Sequence, residues 1–470
     1  MTSRPKIAVL GAGPAGLGIA YRLAGRGAFD VTVIERGGAV GGNAGSFDFG
    51  GLRVDYGSHR LHPSCAPEIL GDVRRMLDGD LLDRPRHGRI RLRGRWVHFP
   101  LKPADLALHL PPSFLAGAAM DALSKPFRGG AADSFAAVLR KGLGKTICRD
   151  FYFPYARKIW GVDPETLDAE QARRRVSAGS ALKMVRKILN AVPGMRKKGS
   201  GRFFYPRRGF GAISEAYAAA ATSGASLQLE TGVAGIELAG GRLRAVHTTG
   251  ASGSRRLEVR QALSTIPISQ LVRLIQPQAP ESVLSSACAL KFRSMILIYV
   301  LLETEQFTEF DAHYFPDAEI GITRLSEPKN YGLAELPGRT VLCAELPCST
   351  EDPVWRASDA ELAKLVAGAL ATAGIPVRCR ILETASRRLA QAYPIYHRDY
   401  QGHFDRMDEW VEGIEGLVTF GRQGLFAHDN THHALAMAYA LDGCIGDDAS
   451  FDRQRWAGCR RQFREHVVED

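Results

Sequence analysis

The sequence predicts an α/β fold in which a unit built on a parallel sheet shares the chain with a second unit built on a mixed sheet. A β-prone run at residues 7–10 leads through a glycine-rich turn and a helical pattern into a second β-prone run at residues 31–34, which is the order of a βαβ unit. Later β-prone runs at residues 295–302 and 340–346 precede a helical pattern over residues 359–373. The 470 residues are 45% hydrophobic, enough to fill more than one core.

The glycines of the N-terminal turn are spaced as GxGxxG. Gly11 permits a sharp turn, Gly13 lets the backbone approach a pyrophosphate, and Gly16 lets the helix pack closely on the strand. The N-terminus of the following helix stabilises anionic phosphates. The second strand ends at Glu35, 24 residues after Gly11, where a carboxylate accepts hydrogen bonds from a ribose. Together these features predict a Rossmann-like dinucleotide-binding unit.

A second glycine pair, Gly41-Gly42, follows Glu35 after a short interval. This pair resembles the large glutathione-reductase-like group of flavoproteins, in which it runs along the FAD pyrophosphate, whereas enzymes that bind only NAD usually lack it. The resemblance therefore implies FAD as the cofactor. The alternative interpretation of the pair is a surface turn.

Two neighbouring segments have a distinctive pattern: Gly42-Asn43-Ala44 and a YGxHxxH pattern that ends at His62. They resemble the flavin-facing part of the amine oxidase/protoporphyrinogen oxidase superfamily, and the UDP-galactopyranose mutase branch is the most similar. The resemblance implies that backbone N–H groups of the Gly57-Ser58-His59 turn, together with an imidazole, face the isoalloxazine. The alternative is that His59 and His62 are turn histidines with locally satisfied hydrogen bonds.

A second block, residues 151–176, resembles the mutase branch over its whole length. It places the aromatic residues Tyr155 and Trp160 near the cations Lys158 and Arg174. Such a set stacks on a base or a sugar and neutralises a phosphate. The alternative is a packed helix with a solvated basic face.

A third block, residues 321–331, resembles a segment that brings an arginine near the flavin in the mutases. Arg324 is therefore the predicted active-site cation, and the alternative is a strand arginine paired with Glu327. Arg60 stands where the mutases usually have an apolar residue, which predicts an extra cation near the flavin. Arg324, Arg60 and His59 form the predicted catalytic set, which orients the substrate or carries protons.

A fourth block, residues 418–434, resembles the C-terminal flavin-closing motif of the superfamily. A helix is predicted from about residue 431 to 445, capped by Asn430 or Thr431. The mutases usually have tyrosines that clasp the substrate diphosphate where this chain has Phe426 and His428, so the mutase reaction is placed in doubt. No metal site is predicted, because adjacent histidines at 432 and 433 point to different helix faces and no carboxylate is well placed.

These interpretations define two sets of contacts. The predicted cofactor contacts are Gly11, Gly13, Ala15, Gly16, Glu35, Arg36, Gly42, Asn43, Ala44, Gly57, Ser58, His59, Val233, Gly421, Arg422, Asn430 and Thr431. The predicted substrate contacts are Tyr155, Lys158, Trp160, Arg174, Arg324, Phe426 and His428.

The predicted domains are discontinuous in sequence. Residues 1–74, 201–280 and 386–470 are assigned to the FAD-binding domain, with a strand over 227–233 near the adenine. Residues 75–200 are assigned to a helical lobe of the substrate domain. Residues 281–385, including a strand at 320–325, are assigned to its mixed sheet.

The net charge of +11 indicates an anionic partner. A dense arginine run over residues 84–95 alternates with apolar residues and predicts a strand or hairpin with a solvated basic face. The alternative is that this run steers an anionic substrate. No nucleic-acid-binding module accompanies it, so nucleic acid is not expected as a partner. The apolar stretch at residues 106–120 is too short to span a bilayer, and membrane contact is not expected. Eight cysteines without a CxxC pair predict reduced thiols in a cytoplasmic protein.

Three functions are considered. The first is an FAD-dependent oxidoreductase that transfers hydride from a polar, anionic small molecule, such as a sugar derivative, to the flavin N5, with NAD(P)H or oxygen as redox partner. The alternative is a mutase-like enzyme that uses reduced FAD as a nucleophile on a nucleotide sugar, without net redox change. The third is a flavin-binding protein without turnover. The oligomeric state is not predicted.

Overall fold

The computed structural model describes residues 4–125, 128–129, 132–175, 201–251 and 253–468. The predicted helical lobe over residues 75–200 therefore lies partly outside the described residues. The strands are β1 (Lys6–Leu10), β2 (Asp30–Ile34), β3 (Ser46–Phe49), β4 (Leu52–Asp55), β5 (Leu81–Pro85), β6 (Gly88–Leu92), β7 (Arg95–Phe99), β8 (Arg202–Pro206), β9 (Ala225–Gln228), β10 (Thr231–Ala239), β11 (Arg242–Gly250), β12 (Gly253–Glu258), β13 (Gln261–Ser264), β14 (Ile275–Gln276), β15 (Lys291–Leu302), β16 (Ala312–Tyr314), β17 (Arg324–Ser326), β18 (Thr340–Cys348), β19 (Ile381–Ile395) and β20 (Leu417–Thr419).

Helices of very different length connect these strands. They are α1 (Pro14–Arg26), α2 (Pro67–Met76), α3 (Pro103–His109), α4 (Pro112–Leu123), α5 (Phe135–Leu143), α6 (Lys145–Ile147), α7 (Phe153–Trp160), α8 (Ala169–Arg175), α9 (Ala212–Ala221), α10 (Ile268–Leu274), α11 (Glu281–Ala289), α12 (Lys329–Gly332), α13 (Asp359–Thr372), α14 (Tyr400–Glu412), α15 (Gly421–Gly424), α16 (Thr431–Asp442) and α17 (Arg453–Phe463). In the described part of the chain, no helix is both long enough and apolar enough to span a bilayer.

A five-stranded parallel sheet confirms the predicted βαβ unit. Its order is β20-β13-β1-β2-β9, so it joins strands from the beginning, the middle and the C-terminal part of the sequence. Helix α1 starts at Pro14, whose missing N–H costs nothing in a first turn. One face of α1 packs on α16, where Gly18 lets Leu435 and Ala438 approach its backbone closely. This packing places the N-termini of α1 and α16 at the same edge of the parallel sheet, where the sequence predicts the cofactor.

A seven-stranded mixed sheet forms the second layer, in the order β19-β15-β18-β17-β16-β6-β7. It is mixed because β16 pairs with β6 in parallel, whereas the other neighbouring strands are antiparallel. Helix α13 covers it, as predicted, through buried residues such as Leu362 and Leu370. The strand predicted at residues 320–325 is shorter and later than expected, because only Arg324–Ser326 pairs with its neighbours.

The later part of the arginine run forms the predicted hairpin, β6–β7, whereas Arg84 lies on β5. Two further parts of that prediction are wrong. The hairpin extends the mixed sheet through β16 rather than belonging to the helical lobe. Its basic face is also not fully solvated. The Arg91 guanidinium pairs with Asp317, and the Arg89 guanidinium lies 4.0 Å from the Trp96 ring centroid and 4.5 Å from that of Phe310.

Three smaller sheets complete the part of the chain that the structure describes: β12-β11-β10-β14, β3-β4 and β5-β8. The strand predicted over residues 227–233 is interrupted, because Glu230 has a φ of +50° between β9 and β10. Helices α3 and α4 pack on the β6–β7 hairpin, and α5, α7 and α8 form a separate apolar cluster. The eight cysteines are all free in the structure.

Candidate active site

The N-terminal glycines shape a cradle at the start of α1. Gly11 has a φ of +106°, and a Cβ there would lie 2.3 Å from Thr265 Oγ1. A Cβ on Gly16 would lie 1.9 Å from the carbonyl oxygen of Gly11, so both positions require glycine. At Gly13, by contrast, a Cβ would meet no atom within 4 Å. The space above Gly13, at a helix N-terminus, suits a phosphate.

Glu35 and the second glycine pair flank this cradle. The Glu35 carboxylate accepts hydrogen bonds from the N–H groups of Ala12 (2.8 Å) and Gly37 (2.7 Å), which fixes its orientation and leaves lone pairs for a ribose. A Cβ on Gly42 would lie 3.4 Å from the Gly13 Cα, so the two glycine turns touch. Farther out, Arg36 is exposed and Val233 is half-buried on β10.

His59 lies inside the protein at the end of the Gly57-Ser58-His59 turn. Its Nε2 lies 2.8 Å from the carbonyl oxygen of Asn43, so Nε2 carries the proton and Nδ1 is left as a hydrogen-bond acceptor. Burial first, and then the charges of Arg324, Arg422 and Arg60, lower the pKa of His59 to about 3. The imidazole is therefore neutral, and it lies among three predicted site residues that are all cationic.

Arg324 is held by Glu345, directly opposite on the neighbouring strand β18. The Nε and Nη2 atoms of Arg324 donate to Glu345 Oε1 at 2.9 and 2.7 Å, and the Ser58 N–H donates to the same oxygen at 3.0 Å. Although burial acts to lower it, Glu345 raises the pKa of Arg324 well above its ordinary value. The expected alternative pairing with Glu327 is wrong, because that carboxylate binds the backbone N–H groups of Phe307 and Thr308.

Arg60 and Arg422 supply the other two charges beside His59. Arg60 lies 4.7 Å from the ring centroid of Phe203, and its Nη2 is 3.5 Å from Asp311 Oδ1. The Arg422 guanidinium donates to the carbonyl oxygen of Ala392 (2.8 Å) and forms no ion pair with any described residue. Burial lowers the pKa of Arg422.

A cluster of aromatic and cationic side chains adjoins these arginines. The Trp160 ring contacts the rings of Tyr393 (5.8 Å between centroids) and His428 (5.2 Å). The Arg175 guanidinium lies 5.5 Å from the Trp160 centroid and 5.3 Å from that of Tyr393. Arg422 lies 5.3 Å from the same Tyr393 ring, so this cluster and the His59 group form one site.

Sequence reasoning missed three residues of this site: Glu345, Arg175 and Tyr393. Glu345 was detectable as a lone charge in the otherwise apolar strand β18. Arg175 is one of three consecutive arginines. The choice among them needs the helical phase of α8, which sequence alone did not fix. Nothing in the sequence pattern distinguishes Tyr393.

Three of the predicted substrate contacts make other contacts in the structure: Lys158, Arg174 and Phe426. The Lys158 ammonium donates to the carbonyl oxygens of Phe315, Asp317 and Ile322 at 2.5–3.3 Å, which uses all three of its N–H groups. Arg174 instead pairs with Glu170 at 2.9 Å and lines a separate cavity of about 540 Å³.

Phe426 lines that second cavity as well, and it packs against Phe292 and Tyr396 in an apolar core. Its neighbour in the prediction, His428, is fully buried, and His428 Nε2 lies 3.0 Å from Gln171 Nε2. His428 contacts the site through the Trp160 ring, and burial first, then the charges of Arg175 and Arg422, lower the pKa of His428. Tyr155, the remaining aromatic candidate, stacks on Phe151 with 5.8 Å between ring centroids.

The start of α16 corrects the expectation about carboxylates near the paired histidines. Asn430 occupies the N-cap position, and its N–H donates to His433 Nδ1 at 3.3 Å. Asp429 Oδ1 lies 3.5 Å from His433 Nδ1 and 3.2 Å from His466 Nδ1, so a carboxylate is close. The ligand atoms of Asp429, His433 and His466 all lie within 4.8 Å of one another, and the rings of His433 and His466 stack at an angle of 13°.

The combined site fits FAD. Open space lies above Gly13 at the start of α1, and Gly421, with a φ of +76°, lies against Ala15 where a Cβ would clash. Several buried polar atoms of the described residues have no hydrogen-bond partner within the protein, among them Ser58 Oγ, Arg60 Nε and Arg422 Nε. A polar ligand or ordered water can satisfy these atoms, and an unpaired buried donor is costly.

Comparisons with known proteins agree with this geometry. The model of the flavin-containing amine oxidoreductase family matches residues 14–405. Polyamine oxidase 1 of Oryza sativa subsp. japonica is 42% identical over 60 residues, and this match covers 12% of each protein. A crystal structure of reduced UDP-galactopyranose mutase superposes with a TM-score of 0.81 at 19% identity, covering 99% of this chain and 100% of that one.

A putative protoporphyrinogen oxidase from Exiguobacterium sp. 255-15 superposes with a TM-score of 0.72 at 19% identity, covering 95% of this chain and 99% of that one. At such identities the superpositions show a shared fold. The family model, in contrast, matches most of the sequence, and the α/β fold with its FAD cradle is the fold of these flavoproteins. The chain therefore belongs to the family of flavin-containing amine oxidoreductases, which use FAD.

Proposed function

We propose that the protein is an FAD-dependent oxidoreductase that acts on a small, polar, anionic molecule such as a sugar derivative. The observation that carries this proposal is the group of four arginines, Arg60, Arg175, Arg324 and Arg422, gathered beside Trp160 and His59. Among the described residues, only Asp311 and Glu345 form ion pairs with this group. The site therefore has surplus positive charge that an anionic substrate would neutralise.

The same charge argues against a protonated amine as substrate. Like charges within a buried site repel strongly, because the low local dielectric screens them poorly. The positive charge of the site also acts on His59, because the neighbouring arginines, after burial, contribute to its lowered pKa. Although the family includes amine oxidases, we infer that this chain binds a substrate of the opposite charge.

The residues of the chain have separable roles in this proposal. Bound FAD supplies a hydride acceptor, held by the glycine cradle and Glu35. Glu345 orients Arg324, so that its remaining guanidinium edge can bind a carboxylate or phosphate. His59 Nδ1 accepts a hydrogen bond from a substrate hydroxyl. A bound anion raises the pKa of His59 again, which makes that nitrogen a better proton acceptor.

The proposal extends the sequence-based domain division. Residues 1–74, 201–280 and 386–470 are proposed to form the FAD-binding domain, and the mixed sheet with α3–α8 forms the substrate domain. Three exceptions follow from the fold. The β6–β7 hairpin joins the mixed sheet, residues 386–395 belong to the same sheet as part of β19, and β5 pairs with β8. After hydride transfer from the substrate, oxygen would reoxidise the flavin. NAD(P)H would be the redox partner only where the reaction starts from reduced flavin.

The experiment is anaerobic reduction of the FAD-loaded protein by a panel of candidate substrates. Sugar acids and sugar phosphates are expected to bleach the oxidised flavin, whereas neutral sugars and diamines are not. Arg175→Gln should lower kcat/KM for the active compound by about ten- to hundredfold, the value of one charge-assisted hydrogen bond. Arg173→Gln is the matched control, because its side chain is 57% exposed on the same helix. Bleaching by diamines alone would overturn the proposal.

A second candidate is a mutase-like reaction on a nucleotide sugar. The superposition on reduced UDP-galactopyranose mutase over the whole chain favours it, as does the Trp160–Arg175 cluster, which suits a base and a phosphate. Against it, Phe426 lacks a hydroxyl and lies in an apolar core. Turnover of nucleotide sugars by the reduced protein only, with no net oxidation, would establish this candidate over the first.

A further inference from the structure

The helices α3 and α4 present large apolar side chains to solvent. Leu108, Met120 and Leu123 are 81%, 71% and 77% exposed, whereas the other exposed large hydrophobic residues of the described chain are 36–45% exposed. We call these three residues the α3–α4 patch. Single exposed apolar residues are ordinary, but three such residues on two consecutive helices need an explanation.

The opposite sides of the two helices are apolar too. Leu106 and Leu110 of the α3 segment, and Phe114 and Leu115 of α4, pack on the β6–β7 hairpin in one cluster. A surface helix normally has polar residues on its outer face. In α4 the outer face instead consists mainly of alanine together with Met120 and Leu123. Apolar residues on both faces indicate that the outer face also contacts something apolar.

Charge around the patch is one-sided. The two carboxylates of this segment are turned towards the protein: Asp105 accepts the His98 N–H at 2.7 Å, and Asp121 accepts the Thr146 N–H at 2.7 Å and pairs with Arg128. Lys102 precedes α3 and is exposed, and Lys125 follows α4 and is half-buried. Neither lysine forms an ion pair with a described residue.

We propose that the α3–α4 patch docks on an anionic phospholipid bilayer. Leu108, Met120 and Leu123 enter the interface, and Lys102 and Lys125 meet the lipid phosphates. This arrangement is that of helices lying on a membrane surface, where binding comes from buried apolar area and from attraction to anionic lipid. It departs from the expectation that the protein makes no membrane contact.

Charge complementarity favours a bilayer over a second copy of the chain. Each chain has a net charge of +11, and a dimer formed through the patch would bring the lysines of both copies together. An anionic bilayer accommodates the apolar residues and neutralises the lysines at the same time. The proposal does not depend on the proposed function, because the patch lies on the β6–β7 edge of the mixed sheet, with β16 between that hairpin and Arg324 of β17.

The experiment is sedimentation of the FAD-loaded full chain with vesicles of phosphatidylcholine alone or with an equal amount of phosphatidylglycerol. Binding to the anionic vesicles is expected, with much weaker binding to the neutral ones. Substitution L108S/M120S/L123S should reduce the partition coefficient by at least about tenfold, because it removes three buried apolar side chains. Lys102→Gln and Lys125→Gln should each reduce it by about fivefold.

The control is I381S/L382S, which removes two exposed apolar residues from β19 and should leave vesicle binding unchanged. Flavin absorbance and the thermal midpoint verify that each variant is folded. Absence of binding to anionic vesicles, or equal binding by the patch variant, would overturn the proposal. So would sedimentation velocity showing a dimer that the patch variant abolishes, because the patch would then be a subunit interface.

Discussion

Replacing Glu345 by glutamine is expected to destabilise the protein far more than the same change at Glu415. The two glutamates make matched contacts. In each case one carboxylate oxygen accepts from Nε and Nη2 of a single arginine, at 2.9 and 2.7 Å for Arg324–Glu345 and at 3.0 and 2.7 Å for Arg242–Glu415. The pairs differ in burial. The side chains of Arg324 and Glu345 are 16% and 6% exposed, whereas those of Arg242 and Glu415 are 45% and 50% exposed.

Burial sets the magnitude. Unit charges about 4 Å apart attract by about 4 kcal/mol at an effective dielectric of about 20, and by about 1 kcal/mol in bulk water. Removing one partner of a buried pair costs about 3–5 kcal/mol, because the other charge is left unpaired. Since glutamine keeps an acceptor oxygen for Arg324 and the Ser58 N–H, the lower end of that range, about 3 kcal/mol, is expected for Glu345→Gln. An exposed ion pair contributes less than about 1 kcal/mol to the free energy of unfolding. The loss of stability expected for Glu415→Gln is therefore below about 1 kcal/mol.

Urea denaturation of the FAD-free protein, followed by tryptophan fluorescence, measures both changes under the same conditions. The double variant R324Q/E345Q should unfold at a higher urea concentration than E345Q alone, because it leaves no unpaired buried charge. Equal midpoint shifts for E345Q and E415Q would refute the reasoning that burial gives the pair its weight. A double variant less stable than E345Q would refute the part that concerns the unpaired arginine.

Two further predictions concern the cofactor cradle and the response to pH. Gly13→Ala should leave the melting temperature of the FAD-free protein nearly unchanged, because a Cβ there meets no atom within 4 Å. It should weaken FAD binding by more than about tenfold in a fluorescence titration, since the Cβ fills the phosphate space. Gly25→Ala, equally open in α1, is the control and should bind FAD normally. The second prediction rests on His59 and His313, whose pKa values burial lowers to about 3. Below pH 6.5 the unfolded chain binds protons that these native imidazoles do not. For each of the two histidines, the free energy of unfolding therefore decreases by about 1.4 kcal/mol for every unit by which the pH is lowered. Asp55, whose pKa burial raises to about 6, opposes one of them between pH 6 and 3.8. His313→Asn should therefore flatten the pH profile by about 1.4 kcal/mol per unit, and an unchanged slope in urea titrations would contradict the assignment.

The cofactor side of the fold was predictable because its signals are local. A glycine turn, a helix start and a strand end within about 30 residues define the cradle, and each depends on backbone geometry that few residues permit. The cradle around Gly11, Gly13 and Gly16 follows the expected pattern.

The substrate side was harder because its contacts join residues distant in sequence. Arg324 was a good candidate, but its partner Glu345 is set by the register of β17 against β18, which single-sequence patterns do not fix. Lys158 failed as a substrate contact for a similar reason. Its ammonium meets three carbonyl oxygens in the Phe315–Ile322 segment, far along the chain. The choice of Arg174 over Arg175 depended on the helical phase of α8, in which neighbouring residues point about 100° apart.

The strand order of the parallel sheet has a consequence for synthesis of the protein. In the parallel sheet, β13 lies between β1 and β20. The sheet is therefore complete only after residues 261–264 and 417–419 have joined residues 6–10. The helix start at Thr431 comes later still. Residues 6–431 must therefore all be synthesised before the predicted flavin site can assemble. Pairings between strands so distant in sequence form slowly. We expect that nascent chains ending before Leu417 do not retain FAD, and that the apolar strands β1 and β2 depend on chaperones until then.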